Sequence, residues 1–172
     1  MGKRGKQVKT EEIRIQPAYD HPEDVRALFS EYTEMLAKGD PAIREYLAVQ
    51  NYEKELEHLE EKYGPPEGRL YLAYVGETPA GCIGLRKIDG ENCEMKRLYV
   101  RPAYRGRRIG ALLVERVLKD AEDIGYRYML LDTLPFLQNA VRLYKRYGFH
   151  EIPRYNNSPM NTGIYMKREL EG

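Results

Sequence analysis

Three apolar segments follow one another between residues 69 and 100, with only a few turn-forming residues between them. They span residues 69–75, 80–87 and 93–100, and the connections contain Gly76 and the pair Asp89-Gly90. Connections this short join antiparallel strands, because a parallel pair needs a crossover of about a dozen residues or more. The sequence therefore predicts an antiparallel meander at the centre of the fold.

A helical pattern and a further apolar segment follow this meander. Residues 108–124 repeat apolar side chains at helical spacing, and residues 128–133 have the apolar content of a strand. A helix between two strands is the usual crossover between parallel neighbours. We therefore expect the strands at 93–100 and 128–133 to pair in parallel.

The remaining segments complete a pattern of mixed helices and strands. We predict a strand at 12–18, a helix ending at Gly39, one or two charged surface helices within 41–63, a helix at 139–147, and strands at 149–152 and 163–169. The expected fold is α/β (α+β), with a mixed, mostly antiparallel central sheet of about six to seven strands flanked by about four helices.

The overall composition fits one globular domain without a dominant charge. The chain has 172 residues and a formal net charge of +1, so no global field draws it toward nucleic acid or a membrane. We expect a single domain over residues 11–172 after a disordered basic tail at residues 1–10. Cys82 and Cys93 have no metal-ligand spacing and fit a reducing cytoplasm. No apolar run approaches the ~20 residues of a membrane-spanning helix, and we expect a cytoplasmic protein that binds no metal, nucleic acid or membrane.

A basic, glycine-containing loop connects the strand at 93–100 to the helix at 108–124. The basic side chains within residues 96–108, where no acidic residue occurs, are Lys96, Arg97, Arg101, Arg105, Arg107 and Arg108. Backbone N–H groups of such a loop and the open donors of a first helical turn form an anion site, and glycine lets a ligand approach closely. A ligand with several phosphates would match this charge. The alternative is an ordinary helix N-terminus with solvated arginines, since the glycine spacing fits neither a P-loop nor a dinucleotide fingerprint.

Two ordered motifs place this loop in a family context. Val100-Arg101-Pro102 and Tyr-Arg-Gly-x-x-Ile-Gly at 104–110 precede the helix, and Asn-Ala-x-x-Leu-Tyr-x-x-x-Gly-Phe at 139–149 follows the strand at 128–133. This order resembles the GNAT superfamily of N-acetyltransferases from about residue 69 to the end of the chain. Residues 12–65 match only in their order of strand and helices. The resemblance implies acetyl-coenzyme A as co-substrate and an amine as acceptor.

The resemblance also implies a set of cofactor-binding residues. The family's pyrophosphate loop, Gln/Arg-x-x-Gly-x-Gly/Ala, falls on Arg105 to Gly110, with Arg108 at the place of the middle glycine. We expect Arg108 to avoid a positive φ and to point its side chain outward. The preceding strand would pair with the pantetheine arm, and Asn139 matches a side chain that commonly contacts the cofactor. The implied cofactor-binding residues are Leu98, Tyr99, Val100, Arg105, Gly106, Arg107, Arg108, Ile109, Gly110, Ala111, Asn139 and Tyr144.

Tyr144 and Glu94 are the candidate catalytic residues. Tyr144 matches the family tyrosine that often protonates the departing thiolate; the alternative is an aromatic side chain that only packs on its helix. Glu94 would be the base if its carboxylate points inward with a raised pKa. A surface carboxylate paired with Lys96 is an equal alternative, and a water chain could replace the base. Asp132 is expected to cap the next turn or to meet a cationic acceptor.

We predict direct transfer of the acetyl group to a primary amine of a small molecule or amino acid through a ternary complex. A protein N-terminus or lysine is an alternative acceptor, which an open groove at Tyr155 and Tyr165 would favour. A non-catalytic acyl-CoA-binding regulator and, less well supported, a nucleic-acid binder are further alternatives. The segment 155–159 would form one wall of the acceptor pocket, or only a polar turn before the last strand. The helices at 41–63 would form the other wall, or only a solvated face. A homodimer is compatible with these expectations, since dimers are common among soluble proteins.

Overall fold

One seven-stranded sheet organises the computed structural model, which describes residues 12–49, 51–158 and 160–171. The strands are β1 (Ile13–Pro17), β2 (Arg69–Val75), β3 (Thr78–Lys87), β4 (Asn92–Val100), β5 (Tyr128–Thr133), β6 (His150–Ile152) and β7 (Ile164–Glu169). Their order across the sheet is β1-β2-β3-β4-β5-β7-β6. Only β4 and β5 pair in parallel within these residues, and the other neighbours are antiparallel. The predicted mixed, mostly antiparallel sheet is confirmed.

Six α-helices occur in the described residues, where about four were expected. They are α1 (Pro22–Gly39), α2 (Ile43–Val49), α3 (Tyr52–Glu57), α4 (Leu59–Tyr63), α5 (Ile109–Ile124) and α6 (Gln138–Arg146). The region 41–63 forms three short helices because its backbone leaves the helical conformation twice. Asn51 is left-handed, with a φ of 55°, and His58 has a ψ of 60°. Each helix is therefore shorter than the charge pattern suggests.

Helices cover both faces of the sheet. On one face α5 buries Leu113, Val114 and Val117 against the strands, and on the other α1 buries Leu28 and Phe29. Fully burying a large apolar side chain contributes about 1.5–3 kcal/mol, so these faces anchor the fold. The two cysteines are free and buried, as expected of small core residues, and burial raises the pKa of each thiol to about 12.

The parallel pair opens toward the carboxyl ends of its strands. β4 and β5 are paired only from Asn92 and Tyr128 to Glu94 and Leu130. Beyond that point β4 contains a bulge, where Arg97 has a φ of 61° and the register with β3 shifts. A bulge bends and twists its strand, and the carboxyl ends of neighbouring parallel strands are where open α/β sheets bind ligands. The opening is therefore the candidate site.

Two expectations about the chain as a whole are addressed only in part. The tail predicted at residues 1–10 lies outside the described residues, and the single domain over 11–172 stays a prediction. Among the helices that the structure describes, none combines the length and the apolar character needed to cross a bilayer.

Candidate active site

A small cavity occupies the opening between β4 and β5. It has a volume of about 50 Å³, which leaves room for a few water-sized groups. Met95 and Leu98 of β4, Thr133 of β5, and Tyr144 of α6 contribute to its walls. The Thr133 hydroxyl is buried without a hydrogen-bond partner among the described residues. Because an unsatisfied buried polar group is costly, this hydroxyl is suited to contact a bound ligand.

Tyr144 faces this cavity from α6. Its ring packs edge-to-face on Phe149, with the ring centroids 6.0 Å apart. Burial, followed by the nearby Tyr32 and Asp132, raises the pKa of its phenol well above the ordinary value. The hydroxyl is therefore protonated at neutral pH. Tyr144 therefore makes the packing contact of one alternative and also lines the cavity, and its role as a proton donor stays a prediction.

The loop between β4 and α5 begins with a short 3₁₀ turn at Pro102–Tyr104 and ends at Arg108. Gly106 has a φ of 84°, and a Cβ placed on it would meet no atom within 4 Å. The expectation that Arg108 avoids a positive φ is wrong, because its φ is 62°. The chain enters α5 through a left-handed residue, and the Arg108 carbonyl then accepts the Leu112 N–H at 3.0 Å. The arginine side chain does point outward, with 72% of it exposed.

The positive charge of the loop is smaller than the sequence suggests. Arg105, Arg107 and Arg108 are exposed. Arg101 instead pairs with Glu31 of α1, with a closest N–O distance of 2.6 Å. The other two cations, Lys96 and Arg97, are buried and directed to acidic residues elsewhere. Three exposed arginines therefore lie at the start of α5, where six basic side chains were counted, and Arg108 among them lies 3.5 Å from Glu115.

The other residues implied for cofactor binding divide between the two faces of the sheet. Leu98 and Val100 pack against the core beneath α5, and Leu98 also lines the cavity. Tyr99 packs on Tyr32 at the α1 face, with centroids 5.9 Å apart. At the start of α5, Ile109 and Ala111 are buried, and a Cβ on Gly110 would lie 3.5 Å from Leu143. Asn139 is exposed and accepts a hydrogen bond from Arg142 at 3.3 Å, so it does not line the cavity.

Glu94 is buried, yet it differs from both alternatives drawn from the sequence. Its carboxylate accepts the Arg86 Nε–H at 2.7 Å and the Tyr155 hydroxyl, and Lys96 lies 3.6 Å away. Burial raises the pKa of this carboxyl, but Lys96, Arg86 and the Tyr155 hydrogen bond outweigh it, and the net pKa is lowered. The expected raised pKa is therefore wrong. Glu94 is ionised at neutral pH and is a weak base.

An open cleft adjoins the cavity, and Glu94 is one of the residues that line this cleft. It has a volume of about 530 Å³, and Tyr46 and Lys96 line both spaces. Lys62 and other residues of the 41–63 region form one side, and Asn156 and Asn157 form the other. The two segments predicted as acceptor walls thus meet across this cleft. Tyr155 and Tyr165 pack against each other, with ring centroids 5.6 Å apart, and Tyr155 also lines a separate open cleft of about 460 Å³.

Asp132 lines the cavity, and its hydrogen-bond partners Tyr46 and Asn156 line the cleft. Its carboxylate accepts hydrogen bonds from the Tyr46 hydroxyl and from the Asn156 side chain, the latter at 3.1 Å. The hydrogen bonds of this carboxylate in the described residues go to these side chains, so the expected cap of the next turn is not observed. Sequence reasoning placed residue 46 in the charged surface helices within 41–63 and gave Tyr46 no role of its own. Its partner is 86 residues away, and no local signal indicates that contact.

A second buried charge cluster, also unanticipated, lies behind the bulge in β4. Arg97 Nε donates to Glu55 at 2.9 Å, and its Nη2 donates to the other oxygen at 3.0 Å. Lys62 contacts the same carboxylate. Burial raises the pKa of Glu55, but Arg97 and Lys62 outweigh it and lower the pKa from 4.5 to about 2. In the described residues, no group of three or more His, Cys, Asp or Glu side chains could hold a metal ion.

Comparisons with known proteins agree with this geometry. A family model described as "Acetyltransferase (GNAT) family" matches residues 25–149. An uncharacterized N-acetyltransferase of Schizosaccharomyces pombe is 43% identical over 72% of this chain and 77% of its own length. An uncharacterized N-acetyltransferase of Dictyostelium discoideum is 33% identical over 92% of this chain and 99% of its own length. A GNAT acetyltransferase from Elizabethkingia anophelis, solved with acetyl-CoA bound, has a TM-score of 0.60 and 25% identity, covering 92% of this chain and 98% of that one.

Proposed function

The chain belongs to the GNAT family of acetyltransferases, and on that premise we propose direct transfer of an acetyl group from acetyl-CoA to a primary amine. The acceptor is a small molecule or an amino acid, and both substrates are bound together in a ternary complex. The observation that carries the proposal is the opening between β4 and β5, with Tyr144 at its wall and the basic loop 105–108 connecting β4 to α5. The homodimer and the cytoplasmic location stay predictions.

The cofactor is proposed to bind along the free edge of β4 and at the start of α5. Beyond Glu94 this edge has no strand partner in β5, so the backbone of Leu98, Tyr99 and Val100 is available to pair with an extended pantetheine arm. Residues 105–111 then offer backbone donors, a helix N-terminus and exposed arginines to the phosphates. The Elizabethkingia relative with bound acetyl-CoA supports this choice of cofactor. Asn139, exposed on α6, is proposed to contact the cofactor from the outside.

The chemistry needs no nucleophile from the protein. The acceptor nitrogen attacks the thioester carbonyl, the C–S bond breaks, and the leaving thiolate takes the phenolic proton of Tyr144. A backbone N–H from the strand at Leu98 polarises the carbonyl. The proton lost by the amine passes to water in the cleft, where the ionised Glu94 is a weak base, and the Tyr144 phenolate regains a proton from this water before the next turnover. The small cavity, with a volume of about 50 Å³, fits the narrow end of a primary amine.

Two measurements test this function. Calorimetric titration with acetyl-CoA should give saturable binding that ATP and NAD at the same concentration do not reproduce. Release of free thiol should then depend on an added primary amine, and mass spectrometry should find one acetyl group on that amine and none on the protein. Binding without turnover of any amine would favour the non-catalytic regulator. Equal binding of all three nucleotides would reduce the loop to a general anion site.

A further inference from the structure

Lys96 lies between the inner cavity and the outer cleft, and the acetyl transfer proposed above gives it no role. It lines both spaces, yet only 5% of its side chain is exposed. Its ammonium nitrogen lies 3.6 Å from the nearest Glu94 oxygen, beyond the range of about 2.7–3.2 Å for an N–H···O hydrogen bond. This ion pair is its one polar contact among the described residues.

The side chain of Lys96 is buried, but its Nζ is not fully buried, so the ammonium can meet a ligand that enters from the cleft. The group carries three N–H donors and no acceptor, and burial of a charge is costly unless it is paired and hydrogen-bonded. Burial and then the neighbouring Arg97 lower the pKa of Lys96, while Glu94 and Asp132 oppose this shift. An acceptor oxygen entering from the cleft would satisfy these donors. The position therefore points to a negatively charged group on the ligand.

The neighbouring charges restrict which anion fits. Glu94 is held by Arg86 and Tyr155, and Asp132 is held by Tyr46 and Asn156. Both carboxylates would repel a doubly charged phosphate more strongly than a singly charged group. The nearby cations are already engaged, because Lys62 pairs with Glu55 and Lys87 pairs with Glu67. A single carboxylate matches the Lys96 ammonium, whose ion pair with Glu94, at 3.6 Å, is too long for a hydrogen bond.

We propose that Lys96 binds the carboxylate of an amino-acid acceptor while the amine of that acceptor points into the inner cavity. Asp132, which lines the inner cavity, offers its carboxylate to the incoming ammonium before deprotonation. This inference rests on the proposed acetyl transfer and narrows its acceptor from amines in general to amino acids. Lys96 determines specificity here and takes no part in breaking or forming bonds.

The test compares each amino acid with its carboxamide, which keeps the shape and the amine but loses the negative charge. The probes are L-lysine, L-methionine and L-glutamine with their α-carboxamides, each at fixed saturating acetyl-CoA. For the acids that turn over, kcat/KM should exceed that of the amide by about tenfold or more, since a hydrogen bond to a charged group contributes about 1.5–3 kcal/mol. Lys96→Met should abolish this preference, and Lys96→Arg should restore part of it.

Lys87→Met is the matched control, because Lys87 lies at the rim of the same cleft and pairs with Glu67. It should keep the wild-type preference for the acid. Thermal unfolding and the dissociation constant of acetyl-CoA should be measured for every variant, so that loss of folding or of cofactor binding is separated from loss of discrimination. Unchanged cofactor binding with lost discrimination is the result expected for Lys96→Met.

Three results would overturn the inference. Wild-type protein that uses the amide as well as the acid would contradict it while leaving the acetyltransferase function in place. A preference for the acid that survives Lys96→Met would assign the carboxylate to another residue. If neither member of any pair turns over, saturation-transfer NMR with the protein–CoA complex decides: acids that bind wild type but not Lys96→Met support the inference, and acids that do not bind contradict it. Absence of acetyl-CoA binding would instead contradict the proposed function itself.

Discussion

Arg97 and Arg108 both lie near the end of β4 and both have left-handed backbones, yet their surroundings differ. Arg97 is buried and forms two hydrogen bonds to Glu55, whereas Arg108 is exposed and lies 3.5 Å from Glu115. The buried arginine joins the bulge of β4 to α3, so its role is to fix the strand. The exposed arginine belongs to a loop whose charges are available to a ligand. The comparison teaches that, among the basic residues of one strand–loop segment, some stabilise the fold and others are placed to bind a ligand.

The largest effect should come from the buried side of this comparison. Glu55→Gln leaves the Arg97 charge without its carboxylate, and breaking a buried pair costs about 3–5 kcal/mol in the free energy of unfolding. Denaturant titration measures this loss. Asp123→Asn, which breaks an exposed pair with Lys119 on α5, should change the free energy by about 0–1 kcal/mol. Similar effects of the two substitutions would remove the distinction between structural and surface charges.

The free energy of unfolding at acidic pH tests the same structural role of the Glu55–Arg97 pair. Although burial opposes it, Arg97 and Lys62 lower the folded-state pKa of Glu55 from 4.5 to about 2. A carboxyl with a lowered folded pKa contributes stability above its unfolded pKa and loses it as pH falls through the folded pKa. The contribution should therefore be present above pH 4.5 and disappear toward pH 2. Glu55→Gln should flatten this part of the profile, and an unchanged slope would contradict the assignment.

Tyr144→Phe should have the next largest effect, and on turnover alone. It removes the phenolic proton and keeps the ring that packs on Phe149. General acid catalysis contributes about 10²–10⁴-fold, so kcat should fall about a hundredfold or more, with little change in acetyl-CoA affinity. Steady-state kinetics and a binding titration measure the two quantities. An unchanged kcat would leave Tyr144 with its packing role only.

The exposed loop should respond in the opposite manner, through affinity rather than stability. Arg105→Gln combined with Arg107→Gln should weaken acetyl-CoA binding by about tenfold or more, since hydrogen bonds to charged groups contribute about 1.5–3 kcal/mol. It should also reduce the dependence of that affinity on salt, because exposed charges are screened. Arg26→Gln, at an exposed arginine of α1, is the control and should change neither quantity. Equal losses from both variants would indicate a general charge effect.

The smallest effect concerns the backbone at Arg108. A left-handed conformation is unfavourable for a residue with a Cβ and acceptable for glycine. Arg108→Gly should therefore be more stable than Arg108→Ala by about 1 kcal/mol, as measured by chemical denaturation. Both variants lack the guanidinium, so their difference isolates the conformation. Equal stabilities would mean that the loop relaxes away from a positive φ.

The parts of the site that could be predicted from sequence are those that depend on neighbouring residues. The loop at 105–111, the start of α5 and the position of Tyr144 follow from local motifs and from strand order. The pairs Glu55–Arg97 and Tyr46–Asp132 could not be predicted, because their partners are 42 and 86 residues apart. Arg97 was assigned to the loop charge for the same reason. The bulge of β4 turns Arg97 toward α3, and no characteristic residue type in the sequence marks this bulge.

Glu94 illustrates a different limit. Burial of Glu94 was one of two alternatives drawn from the sequence, which also named its neighbour Lys96. Whether the pKa of Glu94 is raised or lowered depends on three partners, which lie on two strands and a loop. Arg86 lies on β3 and Tyr155 follows β6, and both stabilise the ionised form. A carboxylate predicted as a base from its position in β4 is therefore a weak one in the fold.

The most direct test of the account is to map acetyl-CoA on the backbone by NMR. Amide shifts in ¹⁵N-labelled protein should be recorded during a titration to saturation. The account predicts that the largest changes occur at Leu98–Val100 along the free edge of β4 and at Gly106–Ala111, with small changes in α2, α3 and β1. Changes confined to the outer cleft, or spread over the basic surface without saturation, would contradict binding in the opening between β4 and β5.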